Sequence, residues 1–331
     1  MEKSLNWALA GTGGISNRFI IGLKAAGGKP LAVVSRTMQN ARGFANRHGV
    51  EKACDNYDQM LEDKSIDIVY IGTPNNTHRD MTIKALKAKK AVLCEKPSAL
   101  NSAELREMIS TARENNCFFM EAMWNRFTPP LCKVREWLAQ SLIGEIKIVQ
   151  ANFGFNSPFN PAGRVYNPEL GGGSLLDAGI YPLALISMVF GGIRPGSVKS
   201  QLYLGSTGVD EEAFVILSYG GPRMAFYASA INTQMINDAW IYGTSGKIHV
   251  PAFTWAHSAD LILDNRYNYH YEPEYISNGY GYEAVEVMNC IRAGKTESPV
   301  MSWNESLVLM ETMDEVRRQS NFVYPGEIKT K

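Results

Sequence analysis

A glycine-rich turn near the start of the chain has the composition of a phosphate-binding loop. It joins a short apolar run to a helical pattern, and it consists of Gly11, Thr12, Gly13, Gly14 and Ile15. In that setting, glycines let backbone N–H groups approach a pyrophosphate at the first turn of a helix. A tight turn without a ligand has the same composition, but the position after the first predicted strand favours a dinucleotide site.

The end of the second apolar run indicates which dinucleotide the turn would hold. NAD sites commonly place a carboxylate there, on the ribose 2′-hydroxyl, whereas residues 31–45 contain no Asp or Glu. Ser35 and Arg36 offer instead a hydroxyl and a guanidinium, which suit a 2′-phosphate. We therefore predict NADP over NAD; the alternative is that Arg36 is a solvated surface residue.

A lysine follows a later apolar run, within Cys94-Glu95-Lys96-Pro97. Open α/β sheets hold ligands at the carboxyl ends of their strands, so this position makes Lys96 a candidate catalytic group. Taken alone, such a lysine is more often a surface residue. Two further segments support the catalytic interpretation: residues 120–127 end the next run, and residues 171–182 lead into a predicted helix.

Two patterns of elements would position these groups. The first 122 residues alternate helical stretches with predicted buried strands at Trp7–Ala10, Leu31–Ser35, Ile66–Gly72, Ala91–Glu95 and Cys117–Ala122. This alternation is typical of an α/β domain, a parallel sheet with helices on both faces. Later segments predict a largely antiparallel sheet with strands at Glu145–Phe155, Val198–Leu204, Glu212–Tyr219, Arg223–Asn232 and Ala239–Val250.

Helices are predicted near Gly179–Val189, Tyr282–Arg292 and Ser302–Arg318. Together with the later strands they indicate a second domain of α+β type. We place the α/β domain at residues 1–123 and the second domain at residues 124–331.

The composition excludes several classes of protein. Among 331 residues, 33 are Lys or Arg and 33 are Asp or Glu, so no bulk positive field is available for nucleic acid or anionic membrane. The longest apolar run, Ile180–Phe190, falls short of the roughly 18 residues of a membrane span, and no signal peptide is evident, so we expect a cytoplasmic protein. Five scattered cysteines and five dispersed histidines predict reduced thiols and no metal site.

These motifs together resemble the glucose-fructose oxidoreductase/inositol dehydrogenase (Gfo/Idh/MocA) family, and within it the dihydrodiol dehydrogenase and xylose dehydrogenase branch. The resemblance spans nearly the whole chain: the glycine turn, residues 73–78, Glu95-Lys96-Pro97, residues 124–126, the glycine-rich run to Tyr181, and residues 304–325. It implies an N-terminal Rossmann domain, with its doubly wound parallel sheet, and a C-terminal domain on a large, mostly antiparallel open sheet. It also implies a homodimer through that sheet. Segments 213–219 and 224–230 are apolar on both faces. This independently favours a second layer of protein over the large sheet, beyond its own helices.

Most of this family carries D-x-G-x-H followed by Asp, where this chain has Asp177, Gly179, Tyr181 and Ala184. The resemblance therefore implies the tyrosine-bearing branch, in which Lys96 and Tyr181 form the catalytic pair. Asp177 would orient the substrate hydroxyl or tune Lys96; the alternative is a helix N-cap.

The chemistry explains why such a pair is needed. Oxidation of an alcohol requires loss of a hydride to nicotinamide and of a proton to a base. A free phenol has a pKa near 10, and lowering it to about 7 takes roughly 4 kcal/mol. An ammonium about 4 Å away at an effective dielectric constant of about 20 provides on the order of 4 kcal/mol. Whether Lys96 or Tyr181 transfers the proton is left open.

Further residues would line the ligands by resemblance. Cofactor contacts are implied for Thr73, Pro74, Asn75, His78, Glu95, Lys96, Trp124 and Arg126. A plain turn is the alternative for residues 73–75, and a buried packing residue is the alternative for Trp124. Substrate contacts are implied for Trp124, Asp177 and Tyr181, and Phe153, Phe253 and Trp255 would form an apolar wall or else belong to the sheet core.

The sequence thus predicts an NADP-dependent oxidoreductase that acts on a secondary alcohol or carbonyl of a small sugar or cyclic diol. One alternative is another reaction of the same family, such as reduction of an anhydro-sugar or keto-sugar. A second alternative is a dinucleotide-binding regulator without turnover, and the presence of Lys96, Asp177 and Tyr181 together argues against it.

Overall fold

A computed structural model describes residues 4–264 and 268–327. The chain forms two compact units that are not simple halves of the sequence. The first unit takes the chain up to Ala99, then Ala103–Trp124 and Tyr275–Trp303. The second takes Leu100–Ser102, Asn125–Glu274 and the chain from Asn304 onward.

The first unit contains the predicted α/β sheet. Its strands are β1 (Asn6–Ala10), β2 (Lys29–Val34), β3 (Lys52–Cys54), β4 (Ile68–Ile71), β5 (Ala91–Glu95) and β6 (Phe119–Ala122). All neighbouring pairs are parallel, in the order β3-β2-β1-β4-β5-β6. This is the doubly wound order in which ligands bind where the strand order reverses, between β1 and β4. The predicted fold class is confirmed, although the short β3 was not anticipated.

Helices cover this sheet: α1 (Gly14–Ala25), α2 (Met38–His48), α3 (Tyr57–Leu61), α4 (His78–Lys87) and α5 (Ser102–Asn115). Helix α1 buries Phe19, Ile20 and Leu23 at helical spacing, which is why this segment is helical. Thr37 caps α2 by accepting a hydrogen bond from the backbone N–H of Asn40.

A late helix, α8 (Gly281–Arg292), belongs to the first unit rather than to the second. The predicted single boundary at residue 123 therefore differs from the observed division. The physical reason is close packing: a Cβ on Gly281 would lie 2.6 Å from the Gly22 carbonyl oxygen, so only glycines let α8 approach α1 this closely. The flanking chain is also tied to β6, since Thr296 accepts a hydrogen bond from the Phe119 N–H and Trp303 donates one to the Phe119 carbonyl.

The second unit is built on an eight-stranded sheet. Its strands are β7 (Ile146–Gly154), β8 (Ser197–Leu204), β9 (Asp210–Ser218), β10 (Met224–Ala230), β11 (Asp238–Gly243), β12 (Gly246–Pro251), β13 (Ala259–Leu263) and β14 (Asn268–Tyr271). The order is β14-β13-β12-β11-β7-β10-β9-β8, and every neighbouring pair except β7 with β10 is antiparallel. The predicted antiparallel character is confirmed. The predicted strand Ala239–Val250 is the hairpin of β11 and β12.

Three further helices are α6 (Pro129–Ala139), α7 (Ile180–Val189) and α9 (Trp303–Gln319). Helix α7 continues a π-helical turn, Leu175–Gly179, and both pack against β7 and β10 on one face of the sheet. The whole segment Pro168–Val189 has a window with a mean hydropathy of 1.4, long and apolar enough to cross a membrane, but 94% of that window is buried inside the protein. This is typical of a core helix. The apolar segment is longer than the sequence suggested, and cytoplasmic location stays a prediction.

Candidate active site

The glycine turn after β1 leaves a helix N-terminus open to a ligand. Gly11 has φ +104°, and a Cβ there would lie 2.6 Å from the Gly72 carbonyl oxygen, so only glycine fits. Gly13 is the N-cap residue of α1 and has no side chain with which to cap the helix. Added Cβ atoms on Gly13 and Gly14 would meet nothing within 4 Å. Uncapped N–H groups beside open space fit a dinucleotide pyrophosphate.

The ends of β1 and β2 lie side by side next to this turn. The hydroxyls of Thr12 and Ser35 are 3.1 Å apart, and the Arg36 side chain is exposed beyond them. A neighbouring cavity of about 420 Å³ is lined by Thr12, Gln39, Asn40, Gly43, Phe44 and Arg47. The sequence did not single out the polar residues of α2 in this lining, because its helical pattern is that of any surface helix. Their amide and guanidinium donors add to those that Ser35 and Arg36 offer a phosphate.

The turn after β4 lies against the glycine turn. The Thr73 methyl carbon would be 3.3 Å from a Cβ on Gly11. Thr77 donates a hydrogen bond to the Thr73 hydroxyl at 2.7 Å, and Asn75 is buried in a short 3₁₀ turn. Pro74 is exposed. The structure therefore places residues 73–75 at the point where the strand order reverses, as a cofactor-lining segment would be.

His78 joins two turns through its ring nitrogens. The side chain is fully buried, with Nδ1 2.8 Å from the Pro97 carbonyl oxygen and Nε2 2.9 Å from the Thr73 carbonyl oxygen. Burial lowers the pKa of His78 despite these two carbonyls. Both ring nitrogens face main-chain oxygens, so His78 fixes the Thr73 turn relative to the Lys96 segment, and its direct cofactor contact stays a prediction.

The segment that carries Lys96 is held by the hydrogen bonds that its backbone N–H groups donate to buried acids. Tyr70 donates to Glu95 Oε1 at 2.6 Å, and the Lys96 N–H donates to Glu95 Oε2 at 3.3 Å. The Ser98 N–H donates to Glu121 Oε1 at 2.9 Å. The Lys96–Pro97 peptide bond is cis, and Lys96 itself is half-buried. Glu95 thus holds the main chain of this segment by accepting a hydrogen bond from the Lys96 N–H.

Asp177 and Tyr181 lie on the π-helical turn and the start of α7. Arg164 makes a bidentate contact with the Asp177 carboxylate, Nη2 to Oδ2 at 3.0 Å and Nη1 to Oδ1 at 3.0 Å. The Phe153 ring lies edge-on to Tyr181 with centroids 5.7 Å apart. Tyr181 is 8% exposed. The sequence missed Arg164, because it lies in an irregular loop that carries no periodic signal.

The alternative role of Asp177 as an N-cap is wrong, because the helical turn begins before it. Leu175 donates its N–H to Asp210 Oδ2 at 2.5 Å, so the acid that serves this helix start comes from β9. Asp210 is fully buried, and burial raises its pKa to about 7. Ser174, in the same turn, shares a 2.7 Å hydrogen bond with Ser229 on β10. The helix that carries Asp177 and Tyr181 is therefore anchored to two strands.

Trp124 and Arg126 are packing residues in the structure. Trp124 is 1% exposed and stacks on Tyr280 with centroids 4.5 Å apart. Arg126 is 5% exposed and donates to Glu305 at 2.7 Å, and Ser187 also donates to that carboxylate. The ligand contacts that the resemblance implies for both residues stay predictions. The buried carboxylate fixes the Arg126 guanidinium, and the Tyr280 ring covers the Trp124 indole.

The predicted aromatic wall is only partly formed. Phe253 is fully buried in the second unit, so for it the sheet-core alternative holds. Trp255, two residues later, is 39% exposed. Phe153 is half-buried and contacts Tyr181 directly. Of the three, Phe153 has the contact that a substrate pocket around Tyr181 would use.

The cysteines and acids give no indication of a metal centre. Cys54, Cys94, Cys117, Cys132 and Cys290 are all free thiols. Across residues 4–264 and 268–327, no group of three or more His, Cys, Asp and Glu side chains is arranged to hold a metal ion.

Comparison with known proteins adds three results. A family model described as an oxidoreductase family with an NAD-binding Rossmann fold matches residues 5–123, and a GFO/IDH/MocA C-terminal domain model matches residues 131–249. A trans-1,2-dihydrobenzene-1,2-diol dehydrogenase from Xenopus laevis is 39% identical over 328 residues, 96% of this chain and 99% of the relative. The Homo sapiens protein of the same name is 34% identical over 333 residues, 98% of this chain and 99% of the relative.

Two solved structures share the fold. Aldose-aldose oxidoreductase from Caulobacter crescentus, complexed with glycerol, has a TM-score of 0.86 and 23% identity, covering 97% of this chain and 100% of that one. Levoglucosan dehydrogenase in complex with NADH and levoglucosan has a TM-score of 0.86 and 20% identity, covering 98% and 100%. At these identities the likeness establishes the architecture alone.

Proposed function

The chain belongs to the GFO/IDH/MocA family of oxidoreductases, and from this premise we propose that it transfers a hydride between NADP and a secondary alcohol or carbonyl of a small sugar or cyclic diol. The observation that carries the proposal is the uncapped N-terminus of α1 behind open glycines, in the same unit as the fixed Lys96 segment. A helix end of this kind binds an anion, and the strand order places it at the reversal point of the sheet.

Tyr181 is the proposed acid–base group, and Lys96 assists it. In the oxidative direction, the alcohol C–H bond breaks as a hydride, and the O–H proton goes to the Tyr181 phenolate. Bound nicotinamide supplies the hydride acceptor. Lys96, as an ammonium, stabilises the phenolate, and the edge-on Phe153 ring keeps the Tyr181 side chain in one orientation.

The proposed role of Asp177 is to orient the substrate hydroxyl. Arg164 binds both carboxylate oxygens from one side, which fixes the direction of the remaining lone pairs. A carboxylate held in this way acts as an acceptor of defined geometry. The proposal extends to Phe153 as an apolar contact for a ring-shaped substrate.

The names of the relatives support the proposed substrate class. Proteins named trans-1,2-dihydrobenzene-1,2-diol dehydrogenase cover nearly the whole chain, so a cyclic diol is the first substrate to test. Aldoses and keto-sugars come next, because the structures that share the fold are named for sugar substrates.

The decisive experiment is an NADP-reduction screen over cyclic diols, aldoses and polyols, with the reverse reaction run on carbonyl compounds. Tyr181→Phe is expected to lower kcat by roughly 10²–10⁴-fold. NADPH binding, followed by fluorescence quenching, should stay within about twofold of the parent because the hydroxyl lies outside the proposed cofactor turns. Tyr203→Phe, an exposed tyrosine on β8, is the matched control and should keep full activity.

Full turnover by Tyr181→Phe would refute the acid–base assignment. Cofactor binding without turnover on any substrate of the panel would favour the dinucleotide-binding regulator instead.

The proposed assembly is a homodimer through the large sheet. One face of β7–β10 exposes Tyr203, Phe214, Ile216, Met224, Ile148 and Phe226, with exposed fractions from 41% to 58%. The alternate residues Ala213, Val215 and Leu217 are buried on the other face. Exposed apolar side chains on four adjacent strands are typical of a surface that is covered in solution.

Light scattering tests the dimer. Ile216→Lys is expected to convert a dimer into a monomer, because an ammonium would be buried in an apolar interface. Ile236→Lys is the control, since Ile236 is 80% exposed in a loop outside the strands. A parent protein that is monomeric at micromolar concentration would contradict the proposal.

A further inference from the structure

A carboxyl group on α8 is buried and interacts with Glu95, and the family motifs do not include it. Glu283 is the third residue of α8 and is fully buried. In the part of the chain that the structure describes, neither of its carboxyl oxygens has a hydrogen-bond partner. Native proteins rarely leave a buried carboxyl in this state, so the group calls for a physical explanation.

The neighbouring acid is Glu95, which has the partners that Glu283 lacks. Tyr70 donates to one Glu95 oxygen at 2.6 Å, and the Lys96 N–H donates to the other at 3.3 Å. The pKa of Tyr70 is raised well above its usual value. Burial is the largest cause, followed by the charge and hydrogen bond of Glu95 and then by the charge of Glu283.

Two carboxylates in one apolar pocket do not both ionise, because the second charge has no donor and repels the first. Glu95 accepts two hydrogen bonds, which favours its ionised form. Burial and the charge of Glu95 raise the pKa of Glu283 well above its usual value. The proton of the pair therefore resides on Glu283.

We propose that Glu283 is a positioning residue for Lys96, acting through Glu95. As a neutral acid, Glu283 lets Glu95 carry the single negative charge of the pocket, and the charged Glu95 holds the Lys96 main chain and the Tyr70 hydroxyl. Once Glu283 loses its proton as the pH rises, two charges share the pocket and this arrangement loosens. Turnover then falls on the alkaline side.

The groups that face this pocket come from four elements. Strand β4 contributes Tyr70, β5 contributes Glu95, and α8 itself contributes Tyr280 at its N-terminus. Helix α1, which packs against α8, contributes the uncharged Phe19, stacked on Tyr70 with centroids 3.8 Å apart. Burial also holds the pKa of Tyr70 well above its usual value of 10.

The test compares Glu283→Gln with the parent enzyme, since an amide has the shape of the neutral acid and does not ionise. At neutral pH, kcat and both KM values of the variant should stay within about twofold of the parent. The alkaline limb of the kcat profile should move upward by about one pH unit or more. Glu62→Gln, which removes an exposed acid from the same unit, should leave the profile unchanged.

A second readout needs no turnover and separates this inference from the proposed function on which it rests. In the parent, folded Glu283 keeps a proton that the unfolded chain releases, so the unfolding free energy falls as pH rises above about 4.5. Glu283→Gln removes this slope, and at alkaline pH the variant should melt about 3 °C or more above the parent.

The outcomes are distinct. An unshifted alkaline limb together with an unchanged stability slope would overturn the role of Glu283. A tenfold loss of kcat in Glu283→Gln at neutral pH, in a variant that folds normally, would also overturn it by showing that the site needs the ionised acid. If the parent turns over no substrate of the panel, the proposed function fails, whereas the melting comparison still decides the protonation of Glu283.

Discussion

Two glycine-rich turns lead into helices in this protein, one in each unit, and they supply the helix N-terminus in different ways. Gly13 precedes α1 and, as a glycine, has no side chain with which to cap that helix. Behind Gly173, the carboxylate of Asp210 reaches from β9 to the N–H of Leu175. Every helix start has N–H groups that need an acceptor. In the first turn the proposed acceptor is a ligand, whereas in the second turn the Asp210 side chain supplies the acceptor.

The contrast shows that glycines before a helix do not by themselves identify a ligand site. The position of an acid from a distant strand decides between the two cases.

The built-in acceptor should make stability depend on pH. Because burial raises the pKa of Asp210 to about 7, the folded protein keeps a proton that the unfolded chain releases above 3.8. The unfolding free energy should therefore fall as pH rises through this interval, by on the order of 4 kcal/mol. Urea unfolding of the parent and Asp210→Asn across the interval measures the effect, and the variant should lose that slope. Parallel curves would contradict the assignment.

Gly173→Ala should remove the same acceptor by steric overlap. Gly173 has φ +118°, and an added Cβ would collide with the Asp210 carboxylate. The unfolding free energy should fall by on the order of 3 kcal/mol. Gly208→Ala is the matched control: its φ is +87° but nothing lies within 4 Å, so the backbone strain alone should cost about 1 kcal/mol. Equal losses in the two variants would show that the carboxylate has no part.

Gly13→Ala should affect ligand binding and leave folding unchanged. Gly13 has an extended backbone that alanine adopts freely, and a Cβ would project into open space. In the proposed site, that space belongs to the pyrophosphate. The dissociation constant for NADPH should rise about tenfold or more, roughly 1.4 kcal/mol, with an unchanged melting temperature. Unchanged affinity would make the turn a plain strand–helix connection.

Arg36→Ala should separate the two cofactors. Loss of the guanidinium should raise KM for NADP roughly fivefold and leave KM for NAD unchanged, because an exposed charge pair contributes about 1 kcal/mol. Arg42→Ala removes an exposed charge from α2 and serves as the control. Equal effects of the two variants on KM for NADP would show that the preference for NADP comes from the overall positive charge of this surface and not from Arg36.

The architecture could be predicted because it depends on local patterns. Buried strands such as Ala91–Glu95 read as short apolar runs, and the glycine turn after β1 marks the first strand–helix unit. The outer strands β13 and β14 were not predicted. Tyr269 and His270 belong to an exposed edge strand, so that segment lacks the apolar alternation of a buried strand.

The partners of the site residues could not be predicted, because they come from distant parts of the chain. Arg164 meets Asp177 from an irregular loop, Asp210 meets Leu175 from another strand, and Glu305 meets Arg126 across 179 positions. Each contact depends on how helices and sheets pack, which no local pattern encodes. The packing of Trp124 on Tyr280 could not be predicted for the same reason, since Tyr280 lies outside the motif that contains Trp124.

The return of α8 to the first unit also limits how evolution and engineering can recombine this chain. Gly22 and Gly281 approach so closely that a side chain on either would meet the backbone of the other. A chimera that takes its first 123 residues from one relative and the remainder from another would split this pair between two parents. Exchange of the cofactor-binding unit in such proteins must therefore transfer two separate segments together, the N-terminal strands and the distant helix α8.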